Sequence, residues 1–139
     1  MSNYKGIRFF AVLAVAFTAL VCFTTELKAG WELVQSYPIR IYRDTRTGLE
    51  WSVTIANAGN DNTYARNLAY QYGLYLPTWE QLRDVVNNNG AIGVLEMEDG
   101  LLDLYETRNP NVLAGAFGGS IKTKRPRQAI TRTWVIGVR

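Results

Sequence analysis

Four cations stand within six residues in KTKRPR: Lys122, Lys124, Arg125 and Arg127. Charge of one sign at that density attracts an anionic polysaccharide, lipid head groups or the acidic face of a partner, and salt weakens the attraction. Pro126 has no N–H for a sheet ladder, which favours an exposed loop or a sheet edge. The plain alternative is a solvated loop that compensates an acidic stretch upstream, Glu96, Glu98, Asp99, Asp103 and Glu106. A second candidate is aromatic: Tyr64, Tyr70, Tyr72, Tyr75 and Trp79 lie close together in the chain. Exposed rings stack on sugar faces, and Tyr70 and Tyr75 are the two expected to be partly exposed. Core packing is the commoner use of such rings.

Two other charged stretches favour structure over chemistry. In DTRTG, residues 44–48, Asp44 and Arg46 could contact a sugar or an ion. The better reading is a turn in which Asp44 accepts backbone N–H groups and Gly48 takes the positive φ that the reversal needs. Glu96–Gly100, EMEDG, offers carboxylates to a hard cation, but such ions want six to eight oxygens and the loop lacks the Asp-x-Asp-x-Asp-Gly order. A solvated acidic loop is the expectation, with no metal and no cofactor. The chain has no His. Ser-His and Cys-His nucleophiles and His metal ligands are therefore excluded, and catalysis would rest on carboxylates, Tyr or Lys alone.

The N-terminus reads as an export signal. Lys5 and Arg8 precede an apolar run from Phe9 to Phe23, and the polar piece TTELKAG follows. The run is short for a membrane span, which needs about 20 residues. The expectation is a signal peptide over residues 1–29, cut after Ala29, with an uncleaved N-terminal anchor as the alternative and the only route to a membrane. The single Cys, Cys22, falls inside this run, so the exported part would have no disulfide and must be held by a core. Three of the 15 basic and one of the 12 acidic residues belong to residues 1–29, which leaves the remainder close to neutral. The overall charge therefore gives no reason to expect nucleic acid. No repeat or linker divides residues 30–139, which read as one domain.

Hydrophobic periodicity supplies the elements that must hold these residues. YPIRIYRD alternates, with Ile39 and Ile41 on one side, Arg40 and Tyr42 on the other, and Pro38 at the start of a half-buried strand. LEWSVTI alternates again, placing Leu49, Trp51, Val53 and Ile55 on one face, and DTRTG between the runs is a hairpin loop. Residues 63–72 have helical spacing through Tyr64, Leu68 and Tyr72, with Ala65 and Ala69 alongside, Asp61 or Asn62 as cap and Gly73 as stop. A second helix opens at Thr78, where TWEQ has the form of a capping box, and ends at NNNG. Its apolar face is Trp79, Leu82, Val85 and Val86. From residue 91, short strands and long loops are expected until RTWVIGVR, a strand covered on both faces that returns near the first. The fold class is α+β, two helices packed on short antiparallel strands.

Two motifs in this order resemble a known family. DTRTGLEW at 44–51 is similar to an Asp-x-x-Thr-Gly-Leu-x-Trp pattern, and LPTWEQL at 76–82, with Pro77 and Thr78, to a Leu-Pro-Thr helix opening. A helix holding Tyr64 and Ala65 lies between them, and Val135 to Arg139 closes the chain in a Val-x-Val-Arg-like end. The chain resembles the Lcl C-terminal domain family, named for the end domain of a bacterial collagen-like adhesin, best over residues 38–86. Leu74 and Tyr75 replace the Trp-Arg usual before Leu-Pro-Thr, Gln81 replaces a Glu, and Gly137 stands where a Cys is often seen. The resemblance implies a C-type-lectin-like fold with paired terminal strands, in an exported, non-enzymatic module. Some members act in adhesion on sulfated polysaccharides.

Together these readings predict a periplasmic or cell-surface binding module for a polysaccharide, anionic or not, or for an envelope protein. Lys122, Lys124, Arg125, Arg127, Tyr70 and Tyr75 are its ligand residues, and Asp44, Gly48, Trp51, Pro77 and Thr78 its turn and core positions. The alternative is a structural subunit of an envelope complex that docks by a sheet edge or the basic segment. An enzyme is a minor third.

Overall fold

The computed structural model describes residues 29–98 and 102–139. The export signal expected up to residue 29, with Cys22, lies outside the described residues except for Ala29, as do Asp99 and Gly100 of the acidic loop. Among the described residues no helix is long and apolar enough to cross a membrane. Two helices and two sheets make an α+β domain.

The first sheet has the order β1-β2-β3, all antiparallel, from β1 (Trp31–Gln35), β2 (Ile41–Asp44) and β3 (Glu50–Ser52). Residues 45–49 turn between β2 and β3. Asp44 O accepts the Gly48 N–H at 2.8 Å, with Gly48 at φ +76°, open to solvent on its Cβ side. A β-carbon there would be sterically disfavoured by the backbone alone. The strands differ from the alternation. Residues 31–35 add a strand ahead of β2, and β2 starts at Ile41 instead of Pro38. Strand β2 is not half-buried, because it is the middle strand and both its faces are covered: Ile41 enters one apolar cluster and Tyr42 the other. Pairing stops at Ser52, so Trp51 and Val53 share a cluster while Ile55 packs with the opposite one.

Helix α1 (Asn62–Gln71) starts at Asp61, whose carboxylate accepts the Tyr64 N–H at 3.0 Å. Its buried stripe is Asn62, Ala65 and Ala69, spaced three and four apart, with Leu68 and Tyr72 packed partly buried beside it and Tyr64 turned outward. The alanines let the helix approach Leu74, Leu76, Ile41 and Val135, which leaves Tyr64 half exposed. Helix α2 (Trp79–Asn89) opens with the full capping box: Thr78 Oγ1 accepts the Gln81 N–H at 3.1 Å, and Gln81 Oε1 accepts the Thr78 N–H at 2.9 Å. It buries Leu82, Val85 and Val86, while Asn87, Asn88 and Asn89 remain helical and Gly90 ends it in the left-handed conformation.

The second sheet has the order β4-β8-β5-β6-β7, from β4 (Ala56–Asn57), β5 (Asp103–Glu106), β6 (Val112–Phe117), β7 (Ser120–Pro126) and β8 (Trp134–Val135). All its pairs are antiparallel except β5 with β8. Strands β6 and β7 form a hairpin over Gly118–Gly119, both at positive φ, as a two-residue turn demands. The basic segment is therefore the outermost strand and not a loop. Its outward groups are already taken: Asn87 accepts the Ile121 N–H at 2.7 Å and donates to Ile121 O at 3.0 Å, and the Trp79 indole donates to Thr123 O at 2.9 Å. Helix side chains thus close an edge that would otherwise be free to pair.

The last residues join the two sheets. Beyond β8, Gly137 O accepts from Ser52 at 2.9 Å, and Glu50 and Arg139 exchange backbone hydrogen bonds of 2.9 Å. On the other side Val138 exchanges two bonds of 2.8 Å with Tyr75. Val135 packs in one cluster, Ile136 and Val138 in the other, so this segment is covered on both faces. A β-carbon on Gly137 would sit 2.7 Å from the Leu74 side chain, so only glycine admits this approach.

Candidate functional site

The four cations of KTKRPR do not form one surface. Lys124 pairs with Ala114 in the ladder and shares its face, on the side of α2, where its ammonium lies 4.8 Å from the Trp79 ring and 3.1 Å from Glu80. Thr123 and Arg125 lie over Gly115 instead. Alternation along a strand forces this split between neighbours. Lys122 stands 6.0 Å from the Phe117 ring. Arg127 is withdrawn altogether: its guanidinium forks onto the fully buried Glu106, and its Nε donates to Pro110 O at 2.7 Å. As a ligand cation Arg127 is corrected to a structural one, because the carboxylate that pairs it lies inside the fold.

Tyr70 and Tyr75 are 51% and 54% exposed, and their rings meet edge to face with centroids 5.4 Å apart. Helix α1 presents Tyr70. Tyr75 is fixed through its backbone by Val138, so the pair is carried on a rigid base. A cleft of about 270 Å³ opens between them and Leu76, Arg66 and Arg108. Arg108 also lines a second groove of about 280 Å³ that runs past Thr78, Trp79, Asn109 and the Lys124–Glu80 pair. The two hollows share Arg108 as a lining residue, one on the side of the tyrosine pair and one on the side of the outer strand.

The arginines of these two hollows are held without being neutralised. Arg108 Nε donates to Leu76 O at 3.1 Å, and its backbone N–H to Pro77 O at 2.7 Å. Arg66 Nη2 donates to Asn62 Oδ1 at 3.1 Å. Asn62 is oriented in turn, since its amide N donates to Glu106 Oε1 at 3.0 Å and Thr107 O at 2.9 Å, which leaves its oxygen for Arg66. Among the described residues neither Arg66 nor Arg108 has a carboxylate within salt-bridge distance. Sequence reading missed both as site residues. They sit in different elements, and only the packing of α1 against the 107–112 turn brings them together.

The charged turn behaves in the opposite way. Asp44 is buried and accepts from the Arg46 N–H at 3.0 Å, the Arg46 guanidinium at 2.9 Å and the Asn89 amide at 2.9 Å. Arg46 also meets Asp84 at 3.1 Å, and this hydrogen bond is the first cause of an Asp84 carboxyl held below the usual range. Trp51 is fully buried beside it. The carboxylate of Asp44 is thus engaged inside the fold.

The acidic side shows a small hollow of about 70 Å³ lined by Thr54, Glu96, Glu98, Asp103, Tyr105 and Trp134. Burial, then the charges of Asp103 and Glu98, push the Tyr105 phenol upward, so it stays protonated. Glu96 is engaged with Arg40, and among the described residues no group of three or more acidic, His or Cys side chains is arranged to hold a metal ion. Comparison with models of protein families, with curated proteins and with solved structures gives no match.

Proposed function

We propose that the chain is an exported, non-enzymatic binding module with a C-type-lectin-like fold, and that its ligand is an anionic polysaccharide laid across the two hollows that share Arg108. The observation that carries this is that two hollows share Arg108: one holds the exposed tyrosines and Arg66, the other Trp79 and Lys124, and neither arginine meets a carboxylate among the described residues. Aromatic faces suit the apolar face of a sugar ring, and cations held open by their scaffold suit repeated negative charge. Support for the fold comes from the returning C-terminal segment, which pairs with β3, and from the two helices inserted between β4 and β5. The absence of His from the sequence supports binding over catalysis.

The test is retention on dextran-sulfate and polyuronate resins at low ionic strength. Retention that falls steadily with salt is expected, and it should fall further for Arg108→Gln. Passage through both resins without retention at low salt would remove the reading. An assembly subunit docking by its outer strand gains no support from β7, whose outward groups at 121 and 123 are taken by Asn87 and Trp79.

A further inference from the structure

We infer that the cleft formed by Tyr70, Tyr75, Arg66 and Arg108 is a subsite for one carboxylate-bearing sugar, a hexuronate residue of the chain; this rests on the polysaccharide reading above. The argument begins with which cations the fold leaves open. Arg43, Arg46, Arg127, Arg139 and Lys124 all meet carboxylates of the protein. Arg66 and Arg108 meet none among the described residues, as is also true of Arg83, Lys122, Arg125 and Arg132, but these two line the same hollow. Each is anchored by one side-chain hydrogen bond, Arg108 through Nε and Arg66 through Nη2, so each keeps further N–H donors for a guest.

The type of cation points to the type of anion. A guanidinium is planar and offers parallel donors that match the two oxygens of a carboxylate, whereas an ammonium acts as a point charge. This cleft has two arginines and no lysine, and the lysines among the described residues lie out on β7. Its remaining walls are the two tyrosine rings and the buried Leu76. In the edge-to-face pair, at 77° between planes, the rings present different surfaces to the hollow. A pyranose laid against a ring face would hold its C5 carboxylate near the plane of the sugar, at the rim where the arginines stand. The volume of about 270 Å³ suits one sugar residue with its substituent and not a long segment. The neighbouring groove, with Trp79 and Lys124, would carry the chain onward.

The test is calorimetric titration of the full chain with tri-galacturonate, its methyl ester and a short dextran sulfate at low salt. The free acid should bind, and esterification, which removes the charge and keeps the ring, should weaken it at least tenfold. Arg66→Gln and Arg108→Gln should each cost about tenfold with an unchanged far-ultraviolet spectrum. Arg108→Lys should fail to restore binding, and Lys122→Ser with Arg125→Ser should change affinity by less than twofold. Equal binding of acid and ester, or wild-type affinity in the two glutamine variants, would overturn the subsite. Binding of dextran sulfate without binding of tri-galacturonate would overturn the uronate assignment and leave the polysaccharide reading standing. Binding of neither would remove both.

Discussion

The turn between β2 and β3 and the cleft beside α1 are both built from arginines near polar side chains, and they have opposite fates. In the turn, Arg46 bridges Asp44 and Asp84, and Asn89 fills the remaining lone pair of Asp44. Arg127 is closed in the same way on Glu106. In the cleft, the same Glu106 acts at one remove: it orients Asn62, Asn62 orients Arg66, and no carboxylate reaches the guanidinium. A buried acid therefore serves two arginines, neutralising one and aiming the other. Whether the scaffold supplies a counter-charge separates a structural cation from an available one, and density of charge along the chain does not.

The largest test of that difference is Glu106→Ala. It leaves Arg127 without its partner and frees Asn62 to rotate, so a loss of about 3–5 kcal/mol is expected by denaturant unfolding. Replacing the pair together, as Glu106→Leu with Arg127→Met, should recover much of it, because apolar side chains of similar volume remove both desolvated charges. A marginal effect of the single change would mean that Glu106 does not hold the 107–112 turn. Next comes Asp44→Ala, which removes the acceptor of the Arg46 N–H and one of the two acceptors of the Asn89 amide; about 1–3 kcal/mol should be lost with no change in ligand affinity. Arg66→Gln and Arg108→Gln should show the reverse, affinity lost and only the one side-chain hydrogen bond of each given up in stability, about 0.5–1.5 kcal/mol. Thr78→Ala removes an N-cap and should cost about 1 kcal/mol. If it also weakens binding, the groove beside Trp79 depends on the first turn of α2.

These magnitudes explain which parts could be read in advance. Capping and turn chemistry are local: Thr78 and Gln81 are three residues apart, and Asp44 reaches a backbone N–H two residues on. The positions of both helices and of the β2–β3 turn follow from such short-range rules. The face of α1 follows in part: Ala65, Ala69, Leu68 and Tyr72 all pack in the second cluster, and only Tyr64 of the expected face turns outward. Close approach of the alanines to Leu74 and Ile41 takes the place of ring burial at Tyr64. The β6–β7 hairpin was legible in principle from Gly118–Gly119 between apolar runs. Its outer strand splits the basic cluster, since Lys124 and Arg125 must point to opposite faces. Arg66 and Arg108 carry no local signal. They lie 42 positions apart, and what makes them available is the lack of a facing acid, a property of the packed chain.

The smallest expected effect concerns the ion pairs that close the first sheet. Glu50 accepts from the Arg139 guanidinium at 2.8 Å and from Arg43 at 3.1 Å. The hydrogen bond from Arg139, followed by that from Arg43 after a smaller opposing push from burial, holds the Glu50 carboxyl below its ordinary value of 4.5. A carboxyl lowered on folding adds stability that is fully present above the unfolded value and is lost as pH falls through the folded one. The melting temperature should therefore drop on acidification below about pH 4.5, and part of that drop should vanish in Glu50→Gln. Near neutral pH the same change should cost only about 0.2–1 kcal/mol, since the pair is largely solvated. A parent and a Glu50→Gln variant with parallel melting curves from pH 7 to pH 3 would show that the closure of β3 on the last residues is carried by its backbone bonds alone. In that case Tyr75, held by the same returning segment, would owe its position to the ladder and not to charge.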